Sequence, residues 1–447
     1  MNSAPTFTIR TLGCKANQYD SQLLREDLFR RGFVECQRDG GAAVCIINTC
    51  TVTAQSDAKS RQAIRALKRQ NPDSCMVVTG CYAHMNPQEV SAIPGVDVVA
   101  GNPSKETLAD RICALLNLPQ GFTGPPPPGI TFFSGHTRAF VKIQDGCNKR
   151  CSYCIVRFAR GTNRSRPIPE ILTEVEGLVS NGYREIVLTG IHIGSFGMDH
   201  GEPESRLPEL IESLRGIGGL IRIRLSSIDP NEITEGLIQS LQNSPQVCHH
   251  LHVPLQSGSD AILRKMNRDY TRHSYLQTIA LLRAALPAVS ISADVMVGFP
   301  GETDDDFLQT RRVVSEAEFS KVHIFPFSSR PGTPADKFRD CVPPKVIGER
   351  GAVLAGDARA AALKVRQRFR GQIVEVLVER ELGCRDPNRI PQILKDAGKA
   401  YEGFTSNYLR TVLMSNGEDM GQLKNRIVQV RVEDCDDRHL YGRQVRS

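Results

Sequence analysis

The sequence predicts an α/β protein in three parts: an N-terminal parallel-sheet domain, a central partial (β/α)6 barrel and a small C-terminal antiparallel β-barrel. Three observations predict this fold class. Strand and helix patterns alternate before a proline-rich run, six strand-plus-helix units follow it, and short alternating strands end the chain. The predicted bounds are residues 1–123, a linker over 124–135, residues 136–368 and residues 369–447.

In the first part, the alternation has the spacing of βαβ units, which indicates a parallel sheet. The predicted elements are strands 6–12, 43–48 and 76–79 and helices 18–31 and 56–70. Cys14, Cys50 and Cys81 are separated by 36 and 31 residues, and each follows directly on a predicted strand. Because the carboxyl ends of parallel strands lie along one edge, where ligands bind, we expect these cysteines to converge into a three-thiolate site.

The alternative for any cysteine is a buried small hydrophobe. That interpretation explains most of the remaining eight cysteines, which share no register and are taken as structural. They are Cys36, Cys45, Cys75, Cys113, Cys248, Cys341, Cys384 and Cys435.

The run Gly-Pro-Pro-Pro-Pro-Gly at 124–129 is typical of a stiff linker, since it forms neither a helix nor a central strand. After it, six strands alternate with helices such as 169–179, 274–285 and 303–316. The predicted strands are 139–143, 185–189, 221–226, 248–254, 290–296 and 321–325. Six units make an incomplete version of the eight-unit barrel, whose active sites lie at the C-terminal ends of the strands.

The first barrel strand leads directly into Cys147, Cys151 and Cys154, in a C-x3-C-x2-C spacing. Three thiolates on one short loop can hold three corners of a cubane iron–sulfur cluster. A cluster of this type ordinarily takes four cysteines, so one iron would keep an open position for chemistry. A structural zinc loop is the alternative, but it usually needs a second cysteine or histidine pair, and residues 155–184 contain none.

A helix over 345–368 precedes the last part, where strands are predicted at 371–379, 409–414 and 426–432. Short strands of this kind suggest a small barrel that binds oligonucleotides. Thirteen Lys/Arg against twelve Asp/Glu over 369–447 leave a β domain with no nucleic-acid role as the alternative.

Composition indicates a protein without a membrane span in a reducing cytoplasm. Of 447 residues, 40% are hydrophobic and 23% charged, and no run of eighteen apolar residues or signal-peptide pattern occurs. Fourteen cysteines in such a chain favour metal ligation over disulfides. The net charge is +7, and eight Lys/Arg face one acid between 138 and 166, with further basic runs at 57–69 and 359–370. These patches favour a polyanion partner, although solvated helix faces are the alternative.

The C-x3-C-x2-C spacing resembles that of the radical S-adenosylmethionine (SAM) enzymes, and the whole chain resembles the methylthiotransferase family. The motifs that carry this resemblance are Thr-Leu-Gly-Cys-Lys-Ala-Asn-Gln-Tyr from Thr11, Asn-Thr-Cys-Thr-Val-Thr from Asn48, Val-Thr-Gly-Cys-Tyr from Val78, Ala-Arg-Gly from Ala159, His-Val-Pro-Leu-Gln-Ser-Gly-Ser from His252, and Asp-Val-Met-Val-Gly-Phe-Pro-Gly-Glu-Thr from Asp294. The segments after Cys14 and from Ala58 are most similar to the branch that acts on threonylcarbamoyladenosine in tRNA. One departure is Arg157-Phe158, where the family commonly has Pro and an aromatic or apolar residue.

The resemblance implies conversion of N6-threonylcarbamoyladenosine at position 37 of tRNA to its 2-methylthio derivative by radical SAM chemistry. It implies two [4Fe-4S] clusters, one on Cys147, Cys151 and Cys154 and one on Cys14, Cys50 and Cys81. A C-terminal TRAM domain would hold the anticodon stem-loop, and a low-potential electron donor would be needed. The residues expected to line the SAM pocket are Tyr153, Gly190, Ser226, Gln256, Val297 and Gly298.

Several alternatives stay open at this point. Each pocket residue could instead serve packing or a turn. The substrate could be isopentenyladenosine in tRNA or a ribosomal-protein aspartate. A non-enzymatic iron–sulfur or zinc RNA-binding protein is the alternative from another class. The oligomeric state is open as well.

Overall fold

The structure is a computed structural model that describes residues 4–36, 41–118, 128–382, 399–415 and 423–445. The expected linker run over 124–127 and Cys384 lie outside these residues. Within them, no helix combines the length and the hydropathy that crossing a membrane requires.

The N-terminal part is a five-stranded parallel sheet with the order β2-β1-β3-β4-β5. Its strands are β1 (Thr6–Thr11), β2 (Val34–Glu35), β3 (Val44–Thr49), β4 (Cys75–Gly80) and β5 (Val98–Ala100). Its helices are α1 (Lys15–Arg30), α2 (Ala54–Gln70), α3 (Cys81–Met85), α4 (Pro87–Ser91) and α5 (Leu108–Leu115). The three strands that precede the spaced cysteines, β1, β3 and β4, are direct neighbours, with Ile9 opposite Ile46 and Ile46 opposite Val77.

The central part contains six parallel strands in two three-stranded sheets, plus a short β7–β8 hairpin beside the cysteine loop. Its strands are β6 (Arg138–Lys142), β7 (Gln144–Asp145), β8 (Arg164–Ser165), β9 (Glu185–Thr189), β10 (Arg222–Leu225), β11 (His250–His252), β12 (Ser290–Val297) and β13 (Lys321–Pro326). Isolated bridges at Ile223–Val247 and Ser227–His252 connect the sheet β6-β9-β10 to the sheet β11-β12-β13. The six strands therefore follow one another around an incomplete barrel, which confirms the predicted architecture.

Helices cover the outside of this barrel. They are α7 (Ile168–Ser180), α8 (Leu207–Leu214), α9 (Glu235–Asn243), α10 (Asp260–Lys265), α11 (Arg272–Ala285), α12 (Asp304–Glu316) and α13 (Pro344–Gln367). The short helix α6 (Val156–Arg160) instead follows the cysteine loop and packs against α3 of the N-terminal part. Alternate strand residues such as Ile186, Ile223 and Ile291 pack with these helices in the main core. The residues between them, such as Arg224 and Ser292, point the other way, into the barrel lumen.

The C-terminal part is a closed barrel with the strand order β14-β15-β16-β18-β17. Its strands are β14 (Ile373–Leu382), β15 (Ala400–Thr405), β16 (Arg410–Met414), β17 (Ile427–Cys435) and β18 (Leu440–Gln444). It packs directly against the amino-terminal ends of the central strands. The guanidinium of Arg224 donates to the carbonyls of Ser406 and Thr405, at 3.0 and 3.2 Å, and Arg222 donates to Phe404 and Glu375.

Several predicted bounds differ from the structure by one to three residues, and two of them differ for local reasons. Helix α1 starts at Lys15 rather than residue 18, because Cys14 is extended and serves as its N-cap. Strand β11 spans only His250–His252 instead of 248–254, and Pro254, which has no N–H for a sheet ladder, lies just beyond it. Strands β2, β5, β7, β8, β15 and β18 were not predicted.

Candidate functional site

Cys14, Cys50 and Cys81 lie at one edge of the N-terminal sheet, each at the carboxyl end of its strand. Cys50 and Cys81 are nearly buried, whereas Cys14 is exposed. Gly13 has φ +99°, and a Cβ on it would lie 2.8 Å from the Cβ and 3.0 Å from the Sγ of Cys50. The loop that carries Cys14 therefore approaches Cys50 as closely as a glycine permits.

Asn17 holds this edge together. Its amide donates to the carbonyls of Leu12, at 2.8 Å, and Thr49, at 2.9 Å, so the ends of β1 and β3 stay in fixed register. Burial raises the pKa of the Cys50 thiol, and the charges of Cys14 and Cys81 raise it further. Three cysteine thiols at one edge of the sheet form a donor set suited to a cluster with thiolate ligands.

The second cysteine set lies on the loop after β6 and β7. The Cys147 N–H donates to the carbonyl of Gly161, at 3.0 Å, and the Cys154 N–H donates to that of Cys151, at 3.1 Å. Gly146 precedes this loop with φ +73°, and a Cβ there would lie 1.8 Å from the carbonyl oxygen of Thr162. No other residue fits at Gly146 while the loop keeps its course.

Positive charge accompanies these thiols. Burial raises the pKa of Cys154 to about 12 and also raises the pKa of Cys151. The Arg268 guanidinium lies 3.2 Å from the Cys151 Sγ and acts in the other direction, lowering the pKa of that thiol. A neighbouring cation favours thiolate, the form that binds iron, so the loop fits a cluster with three cysteine ligands.

Sequence reasoning missed the acidic group beside this loop. The ligand atoms of His192, Asp229 and Glu232 lie within 4.8 Å of one another, and the Lys149 Nζ lies 3.6 Å from both carboxylates. Burial lowers the pKa of His192, but the Glu232 carboxylate, 2.5 Å from its Nε2, and the neighbouring Cys147 raise that pKa to about 10. Since Lys149 and His192 lie far along the chain from Asp229 and Glu232, only the fold brings them together.

Helix α6, which follows the second cysteine loop, also contacts the first cysteine site. The Asn102 amide donates to the Ala159 carbonyl at 2.5 Å and lies 3.6 Å from the Cys81 Sγ. The Arg160 guanidinium donates to Asn17 and to Asp20, the latter at 3.1 Å. Helix α6 therefore connects the second cysteine loop to the residues around the first cysteine site through hydrogen bonds.

The residues expected to line the SAM pocket lie at the carboxyl ends of successive barrel strands, except Tyr153. Gly190 follows β9, Ser226 follows β10, and Val297-Gly298 ends β12. Gln256 lies beyond β11 with φ +61°, a conformation that costs a non-glycine residue about 1–3 kcal/mol. Their role in binding SAM stays a prediction.

Tyr153 lies within the cysteine loop and packs edge-on against Phe299, with ring centroids 6.4 Å apart. It belongs to an apolar cluster with Ile262 and Met266. This packing is compatible with the alternative that Tyr153 anchors the loop, and its expected position near adenine stays a prediction.

The basic run over 138–166 is largely neutralised by acids from elsewhere in the chain. Five of its eight cations form ion pairs with carboxylates, and these are Arg138, Lys142, Lys149, Arg160 and Arg166. In the third run, Arg366 is buried, and Arg368 pairs with Glu318. The exposed cations of α2, which include Lys59, Arg65 and Arg69, keep more of the predicted character of a polyanion-binding surface.

Comparison with known proteins places this geometry in a class. Residues 141–314 match the family model described as "Radical SAM superfamily", and residues 6–101 match "Uncharacterized protein family UPF0004". The fold is similar to that of the radical S-adenosylmethionine methyltransferase TsrM from Kitasatospora setae, with a TM-score of 0.55 at 15% identity over 80% of this chain and 89% of that one. The barrel and its cysteine loop therefore define a radical SAM enzyme.

Full-length relatives narrow the class. The chain is 36% identical to "Threonylcarbamoyladenosine tRNA methylthiotransferase MtaB" of Bacillus subtilis, over 96% of this chain and 93% of the relative. It is 39% identical to the protein of the same name from Chlamydia pneumoniae, over 93% and 97%. It is also 36% identical to "tRNA-2-methylthio-N(6)-dimethylallyladenosine synthase" of Acidothermus cellulolyticus, over 85% and 79%. The chain belongs to the tRNA methylthiotransferase family.

Proposed function

We propose that this protein is a tRNA methylthiotransferase that converts N6-threonylcarbamoyladenosine at position 37 to its 2-methylthio derivative. The observation that carries the proposal is the pair of three-cysteine sites, which α6 connects through its contacts with Asn102, Asn17 and Asp20. One substrate adenosine between them would have its hydrogen removed from one side and sulfur delivered from the other. Relatives named for threonylcarbamoyladenosine, which match nearly the whole chain, support this substrate.

Cys147, Cys151 and Cys154 would hold one [4Fe-4S] cluster, and Cys14, Cys50 and Cys81 would hold the other. The strand-end residues Gly190, Ser226, Gln256, Val297 and Gly298, with Tyr153, would line the SAM pocket. When bound, SAM and its cluster supply the one-electron chemistry that an unactivated C–H bond requires. The chain's own residues position the substrate, exclude water and keep both sites in register through Asn17, Asn102 and Arg160.

The C-terminal barrel would act as a TRAM-like domain that grips the anticodon stem-loop, with the exposed cations of α2 adding phosphate contacts. Such contacts position an RNA without reading its sequence. The target base would have to leave its stack to reach the barrel lumen. A low-potential protein would deliver the electrons.

Nucleoside mass spectrometry of tRNA tests the proposal. Cells that lack the gene are compared with the same cells carrying the wild-type gene or a Cys147→Ala gene. We expect 2-methylthio-threonylcarbamoyladenosine only with the wild-type gene. Appearance of the methylthio isopentenyl nucleoside instead would show that the substrate is isopentenyladenosine in tRNA. Absence of both would favour the ribosomal-protein substrate or a protein that binds without reacting.

A further inference from the structure

The lumen of the central barrel is lined by polar residues from both sheets. On β11 to β13, register places His252 opposite Ser292 and Ser292 opposite Lys321, and it places Asp294 opposite His323. All these residues lie on the face away from the helices. A barrel of this size would ordinarily fill its interior with apolar side chains, so a polar lumen indicates a polar occupant.

The histidines of this face are hydrogen-bonded but not saturated. His250 Nε2 and His252 Nδ1 lie 2.9 and 2.8 Å from the same Ser292 hydroxyl. His250 is buried, with an exposed fraction of 4%, and its Nδ1 has no hydrogen-bond partner among the described residues. An unpartnered buried polar atom is costly, and a bound ligand would remove that cost.

Lys15, the first residue of α1, reaches this lumen from the N-terminal part. Its Nζ lies 3.3 Å from the Ser226 hydroxyl and 6.0 Å from the centre of the Phe140 ring. Its backbone directly follows Cys14, so the same residue connects the first cysteine site to the barrel interior. The Tyr408 ring of the C-terminal barrel contacts His250, at 4.9 Å between ring centroids, and lies at the amino-terminal end of the lumen.

The charge of Lys15 has no described counter-charge. The neighbouring cations each have a counter-charge, because Arg138 pairs with Glu379 at 2.8 Å and Arg224 pairs with Glu185 at 2.7 Å. No described carboxylate oxygen lies within 4.0 Å of the Lys15 Nζ. A sequestered ammonium in this position calls for an anionic partner, which the ligand can supply.

We propose that Lys15 binds the carboxylate of the threonylcarbamoyl group and thereby selects threonylcarbamoyladenosine over adenosines with an apolar N6 group. The inference rests on the proposed function. The threonyl moiety is the part of that substrate that bears a carboxylate, and an isopentenyl group offers nothing to an ammonium. The Asp294 carboxylate, 3.3 Å from His252, and the ring of His323 would face the hydroxyl and carbamoyl groups beside it. Lys15 is thus a specificity-determining residue that acts on the bound substrate.

The test uses the cluster-loaded full-length enzyme and two anticodon stem-loop RNAs. One carries threonylcarbamoyladenosine, and the other carries its neutral carboxamide analogue. Rates of methylthio product formation per cluster are measured for wild type, Lys15→Met, Lys15→Arg and Lys345→Met. Lys345 is an exposed lysine on α13 and serves as the matched control.

We expect the kcat/KM of wild type to be about tenfold to a hundredfold higher for the carboxylate RNA, mostly because its KM is lower. A charge-assisted hydrogen bond contributes a factor of this size. Lys15→Met should treat both RNAs alike, Lys15→Arg should restore part of the preference, and Lys345→Met should match wild type. The proposal would be overturned if Lys15→Met lowered kcat/KM equally for both RNAs, or if it raised the KM for SAM instead. Either result would favour a role for Lys15 at the first cysteine site.

Wild type alone provides a second measurement that no folding defect can obscure. Equal kcat/KM on the carboxylate and carboxamide RNAs would overturn the proposal without any variant. Failure of the proposed function is distinct, because wild type would then methylthiolate an isopentenyladenosine stem-loop and neither threonylcarbamoyl RNA.

Discussion

Asp20 is the buried carboxylate that joins the N-terminal sheet to the barrel. It pairs with Lys105 at 2.6 Å, with Arg160 at 3.1 Å and with Lys142, and its side chain is 5% exposed. Burial alone would raise its pKa, but these cations hold the pKa of Asp20 well below its ordinary value. The free energy of the pairing therefore favours the charged carboxylate.

Removing this charge should destabilise the protein strongly. Asp20→Asn leaves three cations without their shared partner, and breaking a buried pair of this kind costs about 3–5 kcal/mol. Urea unfolding followed by circular dichroism measures the effect. Asp110→Asn, which removes the half-exposed partner of Arg31, is the control and should cost about 0–1 kcal/mol. Equal midpoints for the two variants would show that the Asp20 cluster contributes no net stability.

Among the secondary-structure elements, the cysteine loop depends most on one backbone position. Gly146→Ala would bring a Cβ within 1.8 Å of the Thr162 carbonyl, at φ +73°. We expect the loop to lose its geometry and the iron content to fall from about eight to about four per chain, since only one of two cubane sites would survive. Gly182→Ala has a comparable φ of +93° but open space around it, and should retain all the iron. Full iron loading in Gly146→Ala would contradict this account of the loop.

Local pattern was sufficient for the order of the elements and for the position of the cysteines at strand ends. The βαβ period of the N-terminal part and the six barrel units are properties of consecutive residues, so the sequence carries them directly. The pairing of charges is different. The acids that neutralise Arg138, Lys149 and Arg160 lie far away along the chain, and only the tertiary fold brings them close. The group around His192 and the surroundings of Lys15 also depend on contacts between residues distant in sequence, so neither could be predicted from local pattern.

The three parts of the chain form a single packed unit, which changes the expected role of the C-terminal barrel. Arg222 and Arg224 are buried, and their hydrogen bonds go to carbonyls of β14 and of the segment around β15. The Tyr408 ring lies over Arg224, at 4.5 Å, and over Arg138, at 5.2 Å. This interface therefore supports the base of the barrel in addition to any RNA contact.

Truncation after residue 368 should consequently damage more than RNA binding. We expect the shortened protein to unfold at a lower temperature and to lose SAM cleavage in the absence of RNA, because the buried guanidinium groups of Arg222 and Arg224 lose their carbonyl acceptors and keep only Glu185 among their described partners. Differential scanning calorimetry and deoxyadenosine formation measure these two effects. An unchanged unfolding temperature, with only RNA affinity reduced, would indicate an independently folded appendage.

The central claim is that two three-cysteine sites act together on one substrate adenosine. The most direct measurement follows deoxyadenosine and methylthio nucleoside in the same reaction, with SAM, a reductant and threonylcarbamoyladenosine-containing tRNA. We expect Cys50→Ala to retain deoxyadenosine formation and lose the methylthio product, Cys147→Ala to lose both, and the exposed Cys341→Ala to retain both. Methylthio product from Cys50→Ala at the wild-type rate would contradict the claim.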